Sequence, residues 1–344
     1  MRKEDMAMIF LKNDYGAGAH PHVFQALAEH NLMPADSYSH DQYSVAVTEM
    51  IRALTGQAQA HVHFIAGGTL TNLVCLAAFL RPYEAVIAAD SAHICVHETG
   101  AIEATGHKIL SVPAVDGKIS PEEIDKVVAF HETDQMVLPK LVYISDTTEM
   151  GAVYTKAELQ ALRACCDAHG LYLYIDGARL AMALGSEYND LSLQDIASLA
   201  DAFYLGGTKC GALFGEMVVI LNEALKPHFR FIMRQHGALF AKGMLLGLQF
   251  KALLQDDLYT RLGSMADAWG KKLAAGLKEK GYSFAYTPVS NMIFPIVTTA
   301  QADALAEYVL FEKWLDNPDG TQTIRLVTSW MTKQEDIDGL LQHM

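Results

Sequence analysis

The chain has 344 residues, of which 51% are hydrophobic and only 19% charged, and this composition is typical of a well-packed globular protein. Its net charge of −14 argues against binding to a nucleic acid backbone, because like charges repel. No apolar run approaches the roughly twenty residues that a membrane span needs. The N-terminal stretch contains acidic residues and lacks the apolar core of a signal peptide.

The chain contains five cysteines without paired spacing: Cys75, Cys95, Cys165, Cys166 and Cys210. An odd number of this kind predicts reduced thiols and therefore a cytoplasmic protein rather than a disulfide framework. His61 and His63 fall on one face of a predicted strand, but no third ligand lies nearby. No metal site is expected.

Helices and strands alternate between residues 44 and 225, a pattern that indicates a doubly wound α/β sheet. The predicted order is a helix at 45–54 with Ser44 as its N-cap, a strand at 62–66, a helix at 71–80, a strand at 85–89, a helix after His93, a strand at 108–112, a helix at 121–130, a strand at 141–144, a helix at 156–169, and strands at 171–175, 202–205 and 216–221.

The pattern changes after residue 226 and predicts a compact α+β region. A long apolar helix at 238–254 and an amphipathic helix at 259–281 precede short strands at 283–286, 292–296 and 323–327, with helices at 302–306 and 333–342. The sequence thus predicts an N-terminal arm of residues 1–20, a large α/β domain of residues 21–237 and a small C-terminal α+β domain of residues 238–344, opened by the long helix.

Asp176 and Lys209 each follow an apolar run that reads as a buried strand. They lie about 33 residues apart, a spacing typical of neighbouring strands joined by a helix. Taken alone, Asp176 could be a helix N-cap and Lys209 a solvated side chain. Together, a carboxylate that keeps a ring nitrogen protonated and an amine that forms a Schiff base indicate pyridoxal phosphate chemistry.

Two further segments suit that cofactor. Gly67, Gly68 and Thr69 lie between a strand and a helix, where free backbone N–H groups and the helix dipole favour an anion such as the cofactor phosphate. His93 follows the next strand, and a neutral imidazole there could stack on the cofactor ring and act as a base. These residues extend the predicted site beyond Asp176 and Lys209.

Three arginines are candidate anion ligands. Arg179 lies one helical turn after Asp176 and could meet the cofactor ring oxygen or a substrate carboxylate, although a surface ion pair is the simpler alternative. Arg325 lies on a strand of the small domain and suits a substrate α-carboxylate. Arg234, in the segment that leads into the long apolar helix, could reach a phosphate across a subunit boundary.

The sequence closely resembles the low-specificity threonine aldolases, the β-eliminating lyase group of fold type I pyridoxal phosphate enzymes. The blocks that carry the resemblance span nearly the whole chain in family order: AGGTLTNL, HICVHETGAIEATGHK, TEMGAVYT, YIDGARLAMAL, GGTKCGALFGE, FRFIMRQHGALFAKG and IRLVTSW. The resemblance implies a transferase-like fold with a mostly parallel seven-stranded sheet. It also implies a homodimer or homotetramer with active sites near the subunit interface.

The resemblance implies roles for individual residues. Lys209 would form the internal aldimine, Asp176 would contact the ring nitrogen, and His93 would stack on the ring. Gly67, Gly68 and Thr69 would bind the phosphate, and Arg179 and Arg325 would surround the substrate carboxylate.

The chain departs from the family pattern in two places. The family has an Arg-Ser-Asp-Thr block near the N-terminus whose serine touches the substrate carboxylate, and here Asn13 stands at the serine position. The family also has a histidine that assists at the β-hydroxyl, and here Thr148 stands at that position, beside Glu149. Tyr38, where the family has a Tyr-Gly-Glu-Asp block, is a further candidate neighbour of the substrate.

The sequence therefore predicts an aldolase that cleaves β-hydroxy-α-amino acids such as threonine or allo-threonine to glycine and an aldehyde. The alternatives are a β-eliminating lyase or an aminotransferase with the same cofactor. A binding protein that has kept the fold but lost turnover is a third possibility, which intact Lys209, Asp176 and His93 oppose.

Overall fold

The computed structural model describes residues 8–344, so the first seven residues of the predicted N-terminal arm lie outside the described residues. The elements up to residue 235 are, in chain order, β1 (Ile9–Phe10), α1 (Pro21–His30), α2 (Gln42–Thr55), β2 (His61–Ile65), α3 (Gly68–Phe79), β3 (Glu84–Ala89), α4 (His93–Val96), β4 (Ile109–Val112), α5 (Pro121–Phe130), β5 (Leu138–Ser145), α6 (Lys156–His169), β6 (Tyr172–Asp176), α7 (Leu180–Gly185), α8 (Leu193–Leu199), β7 (Ala202–Gly206), β8 (Glu216–Ile220) and α9 (Phe229–Gln235).

The rest of the chain forms shorter strands and two long helices. These elements are α10 (Met244–Leu254), α11 (Leu258–Glu279), β9 (Met292–Ile293), β10 (Ile296–Thr298), α12 (Thr299–Leu305), β11 (Val309–Leu310), β12 (Glu312–Asp316), β13 (Thr321–Val327) and α13 (Gln334–His343). Among the described residues, no helix combines the length and apolar character that crossing a bilayer requires.

The main sheet has seven strands in the order β2-β8-β7-β6-β5-β3-β4. Strand β8 runs antiparallel to both of its neighbours, and the other adjacent pairs are parallel. Strands β3, β7 and β8 are buried along their whole length, as expected for strands covered by helices on both faces. The prediction of a mostly parallel seven-stranded sheet is confirmed.

Two apolar cores meet along α11. Leu262 and Ala266 in the first half of this helix belong to the core of the main sheet. Leu273 and Leu277 in its second half belong to a smaller core beneath the sheet of β9, β10, β12 and β13. The residue limits of the two predicted domains stay a prediction, since α10 also packs into the larger core through residues such as Phe250.

Several local predictions are confirmed and several are wrong. Helices α5 and α6 have the predicted bounds. The helix predicted at 238–254 begins only at Met244, because the carbonyl of Ala241 accepts the backbone N–H of the distant Tyr38 at 3.1 Å and not that of Leu245. Helix α2 begins at Gln42 because Asp41, not Ser44, caps it by accepting two backbone N–H groups. The predicted strand at 283–286 is a single bridge at Phe284.

Strands β11 and β12 were not predicted. Strand β12 forms an edge of the small sheet and pairs only with β13, with a register shift between Lys313 and Leu315. Its side chains are mostly exposed, so the sequence lacks the apolar alternation that marks a half-buried strand.

Candidate active site

A cavity of roughly 310 Å³ lies at the carboxyl ends of the parallel strands, where ligands bind in open α/β sheets. Strands β5 and β6 are paired so that Ser145 lies beside Asp176 at this edge. Seven of the predicted site residues line the cavity together: Gly67, Gly68, Thr69, His93, Asp176, Arg179 and Lys209. The fold therefore brings residues from four separate loops into one site.

Asp176 is buried and accepts hydrogen bonds on both carboxylate oxygens. Tyr143 and Asn72 donate to Oδ2 at 2.5 and 2.9 Å. Tyr204 and the backbone N–H of Ala178 donate to Oδ1. Burial by itself raises the pKa of Asp176, but nearby His93 and these hydrogen bonds outweigh it and hold the pKa below its usual value. Asp176 therefore carries its negative charge despite its burial.

Gly177 allows the close approach that joins Asp176 to Tyr204. A Cβ atom at Gly177 would lie 1.8 Å from the carbonyl oxygen of Tyr204, which no side chain could tolerate. The end of β6 can lie against the end of β7 only because this position has no side chain.

The ring of His93 is held by a buried carboxylate. Its Nδ1 lies 2.7 Å from Oε1 of Glu98, and Asn72 donates to the same oxygen at 2.7 Å. Asn72 thus bridges Glu98 and Asp176. The neighbouring ring of His97 lies 5.4 Å from that of His93. The carboxylate of Glu98 consequently fixes the orientation of the His93 ring in the cavity wall.

Lys209 is half-buried in the cavity wall. Burial and the positive charge of Arg179 lower the pKa of its amine, against the attraction of Asp14, Asp176 and Glu216. A lowered pKa leaves more of the amine uncharged and able to act as a nucleophile.

Glu216 lies beside the loop of Lys209. It accepts hydrogen bonds from Thr208 Oγ1 at 2.7 Å and from the backbone N–H of Gly207 at 3.0 Å. Burial raises the pKa of Glu216 to about 8. This buried carboxyl group therefore holds the loop of Lys209 in place through two hydrogen bonds.

Arg179 is held by the N-terminal segment. Its Nε and Nη2 donate to the two oxygens of Asp14 at 2.7 and 3.1 Å, and Asn291 donates to Asp14 at 3.0 Å. Burial opposes ionisation of Asp14, but Arg179 and Lys209 keep its pKa below the usual value. Two of the donor positions of Arg179 are thus occupied, and the residue still lines the cavity.

The N-terminus of α3 has the features of an anion site. Gly67 precedes the helix, no side chain caps it, and the first helical N–H bonded to the carbonyl of Gly67 is that of Thr71. A Cβ atom at Gly67 would meet no atom within 4 Å, so the space in front of the helix is open. The N–H groups of Gly68 and Thr69 can therefore receive a phosphate.

Four predicted site residues lie outside the cavity lining. Asn13 accepts the backbone N–H of Tyr15 at 3.1 Å, and Tyr15 itself lines the cavity. Tyr38 stacks beneath the guanidinium of Arg234 at 4.3 Å. Arg325 forms an ion pair with Glu312 and is close enough to Arg179 for the two charges to interact. Their predicted roles stay predictions.

The sequence reasoning missed Asp14, Asn72, Glu98 and the two tyrosines on Asp176. The tyrosines had a signal, because Tyr143 and Tyr204 are polar-tipped residues within the apolar strands β5 and β7, which lie on either side of β6. Asn72 also had one, since it lies one helical turn after Gly68. Asp14 had none, because its partner Arg179 is 165 residues away in the sequence.

One group of potential metal ligands lies away from the cavity, on α5 and α6. The ligand atoms of Asp125, Cys165 and His169 lie within 4.8 Å of one another, and His169 is hydrogen-bonded to Asp125 at 2.6 Å. The sequence-based expectation that the protein has no metal site stays a prediction.

The residues present fit pyridoxal phosphate: an amine, a charged buried carboxylate, an imidazole and an uncapped helix N-terminus surround one cavity. The fold and this site define a pyridoxal phosphate enzyme of fold type I. The chain belongs to the β-eliminating lyase family, whose sequence profile matches residues 14–300. It is therefore a pyridoxal phosphate-dependent lyase, and the predicted family, fold class and cofactor are confirmed.

Known proteins of this family are similar over nearly the whole chain. A low-specificity L-threonine aldolase of Pseudomonas aeruginosa is 30% identical over 88% of this chain and 87% of its own. The solved structure of a threonine aldolase of Leishmania major has a TM-score of 0.95 and 44% identity, covering 97% of both chains. An aspartate aminotransferase of Thermus thermophilus shares the fold, with a TM-score of 0.74 and 16% identity over 99% of this chain and 92% of its own.

Proposed function

We propose that this protein cleaves β-hydroxy-α-amino acids such as threonine and allo-threonine to glycine and an aldehyde. The observation that carries the proposal is the single cavity that joins Lys209, Asp176 and His93 to the N-terminus of α3. The similarity to threonine aldolases at 30% and 44% identity supports the substrate class.

Each cavity residue has a role that its environment supports. Lys209 would hold the aldehyde carbon of the cofactor, because its lowered pKa makes the amine nucleophilic. Asp176, charged although buried, would keep the ring nitrogen protonated. Gly68 and Thr69 would bind the phosphate, and His93 would cover one face of the ring. When bound, the cofactor supplies an electron sink for the charge left on Cα.

The substrate carboxylate would be bound by arginines. Arg179 is oriented by Asp14 through two hydrogen bonds, which leaves its remaining N–H groups for a ligand. Arg325 would approach from the small sheet once it releases Glu312. Asn13 would assist from the N-terminal segment.

The first test is product analysis with the purified holoenzyme. L-Threonine and L-allo-threonine are expected to give equimolar glycine and acetaldehyde, and Lys209→Ala is expected to give neither. Release of pyruvate and ammonia from serine, or of a keto acid, without any aldehyde would instead assign β-elimination or transamination. Intact substrates in every assay would refute an enzymatic function.

We also propose a homodimer or homotetramer in which Tyr38 and Arg234 of one subunit complete the site of another. The stacked pair lies outside the cavity of its own chain. Large exposed apolar side chains on the same segments, Leu32 and Phe231, support a contact surface there.

A mixing experiment tests this arrangement. Lys209→Ala and Arg234→Ala chains, each inactive alone, are expected to regain activity when denatured together and refolded, because one mixed site then has both residues intact. A monomeric mass for the active enzyme, or no recovery on mixing, would contradict a shared site.

We further propose that the protein works in the cytoplasm. Its five cysteines are all free thiols, which a reducing compartment preserves. Cell fractionation followed by the threonine cleavage assay tests this location, and activity confined to a membrane or secreted fraction would contradict it.

A further inference from the structure

Cleavage of the Cα–Cβ bond in a β-hydroxy amino acid needs a group that takes the hydroxyl proton. By the family resemblance of the sequence, Thr148 stands where a histidine would be expected for this purpose. The side chain of Thr148 does not reach the cavity: it is fully buried, its hydroxyl donates to the carbonyl of Asp116 at 2.7 Å, and it accepts the N–H of Ala152 at 3.1 Å. Thr148 is therefore a structural residue of the turn.

The next residue, Glu149, lines the cavity beside Lys209 and His93. It is only 8% exposed. Its Oε1 accepts the hydroxyl of Ser145 at 2.7 Å and the backbone N–H of His93 at 2.8 Å. These two bonds fix the carboxyl group next to the imidazole that would cover the cofactor ring.

The electrostatic setting of Glu149 suits proton transfer. Burial raises its pKa above the usual value, and the hydrogen bond from Ser145 only partly offsets this. A carboxyl group with a raised pKa accepts a proton more readily than an ordinary glutamate does. Thr147 and Ser145, the neighbouring cavity residues, have no group that ionises in this range.

His93 is the other candidate base in this part of the cavity. Its Nδ1 is hydrogen-bonded to the buried Glu98, and its ring would be needed against the face of the cofactor. Glu149 is not needed to cover the cofactor ring, so its carboxyl group is available for proton transfer.

We propose that Glu149 is the acid–base residue for the β-hydroxyl group of the substrate, because it is the carboxyl group fixed beside His93 in the cavity wall. Its carboxylate takes the hydroxyl proton, the C–O bond becomes the C=O of the aldehyde, and the Cα–Cβ bond breaks. The bonding pair stays on Cα, which then takes a proton to give glycine. This inference rests on the proposed aldol cleavage.

The test separates β-hydroxyl chemistry from the rest of the site by using two reactions. Exchange of the α-hydrogen of glycine in D₂O, followed by NMR, needs the cofactor and Lys209 but no β-hydroxyl base. For Glu149→Gln we expect near wild-type cofactor absorbance and glycine exchange, while threonine cleavage falls by on the order of 10²- to 10⁴-fold. Glu149→Asp is expected to recover part of the loss.

Two matched variants serve as controls. Thr148→Val removes the hydroxyl at the family's histidine position and is expected to keep cleavage close to wild type. His93→Phe keeps a stacking ring without a base and is expected to retain more cleavage than Glu149→Gln. The acid limb of the wild-type pH profile is expected above the usual glutamate range, and Glu149→Gln should lose it.

Several outcomes would overturn the inference. Near wild-type cleavage by Glu149→Gln would do so, as would loss of glycine exchange together with cleavage, which would assign Glu149 to assembly of the site. Selective loss of cleavage in His93→Phe would assign the base to His93. A wild-type enzyme that exchanges glycine but cleaves no β-hydroxy amino acid would refute the proposed function itself.

Discussion

The surroundings of Asp176 and of Glu149 differ although both carboxyl groups are buried in the wall of one cavity. Asp176 receives hydrogen bonds from three side chains and one backbone N–H, and its pKa is lowered. Glu149 receives one from a side chain and one from the backbone N–H of His93, and its pKa is raised. Burial is common to both, so the number of donors and nearby positive charges decides whether each pKa is lowered or raised.

This contrast supports the different roles that we propose for the two carboxyl groups. A group that stays ionised can hold a proton on a ring nitrogen, whereas a group with a raised pKa more readily takes up a proton and returns it. Asp14 and Asp267 also differ in their hydrogen-bond partners and in the direction of their pKa shifts. Asp14 has a bidentate arginine and a lowered pKa, while Asp267 has no hydrogen-bond partner for its side-chain oxygens among the described residues.

The largest effect is expected when Asp176 loses its charge. Asp176→Asn keeps the size of the side chain but removes the negative charge, so we expect threonine cleavage to fall on the order of 10³-fold or more. Steady-state kinetics and cofactor absorbance measure the effect. The same substitution at exposed Asp36 should change neither quantity. If Asp176→Asn lowers threonine cleavage by less than tenfold, the charge of Asp176 is not required in the way proposed.

Removal of the charge of Asp14 should cost stability as well as substrate binding. Asp14→Asn leaves the buried guanidinium of Arg179 without its ionic partner, which costs about 3 kcal/mol in the free energy of unfolding. We also expect a higher KM for threonine with a smaller change in kcat. Chemical denaturation and kinetics measure both, and an unchanged KM would show that Arg179 does not bind substrate.

Removal of one hydrogen-bond donor from Asp176 should raise its pKa and so reduce its difference from Glu149. Tyr204→Phe removes a hydrogen bond to a charged group, worth about 1.5–3 kcal/mol, and so raises the pKa of Asp176. The acid limb of kcat/KM should shift to higher pH. Tyr154→Phe removes an equally buried hydroxyl outside the cavity lining and should leave that limb in place.

The smallest effect on catalysis is expected at Asp267, which lines a separate cavity beside α11 and should influence stability instead. Burial raises its pKa to about 8. Between the usual carboxyl range and pH 8 the folded state keeps a proton that the unfolded state releases, so stability falls as pH rises, by at most about 1.4 kcal/mol per pH unit. Asp267→Asn should flatten this slope in denaturation curves between pH 5 and pH 8, and an unchanged slope would contradict the raised pKa.

Much of the main sheet and the core of the site could be predicted from the sequence. Asp176, Lys209 and the Gly67–Gly68 turn each stand directly after an apolar run, so the local pattern alone places them at the carboxyl edge of the sheet. Helices α5 and α6 were predictable for the same reason, since proline begins one and Gly170 ends the other.

Local patterns failed where the chain meets distant segments. The helix predicted from residue 238 starts late because the carbonyl of Ala241 is bonded to the backbone N–H of Tyr38, and β12 escaped prediction because it is an exposed edge strand. In both cases the apolar pattern was a poor guide to where regular structure begins.

The sequence by itself determined the cofactor class, because the residue types and their positions after strands are local properties. Only the tertiary structure decided which side chains touch. It pairs Asp14 with the distant Arg179 and places Asn72 between Glu98 and Asp176. It also buries the side chain of Thr148 and places Glu149 in the wall of the cavity. Such contacts depend on packing between remote segments and set the local dielectric and hydrogen bonding, which in turn decide the charge of each group.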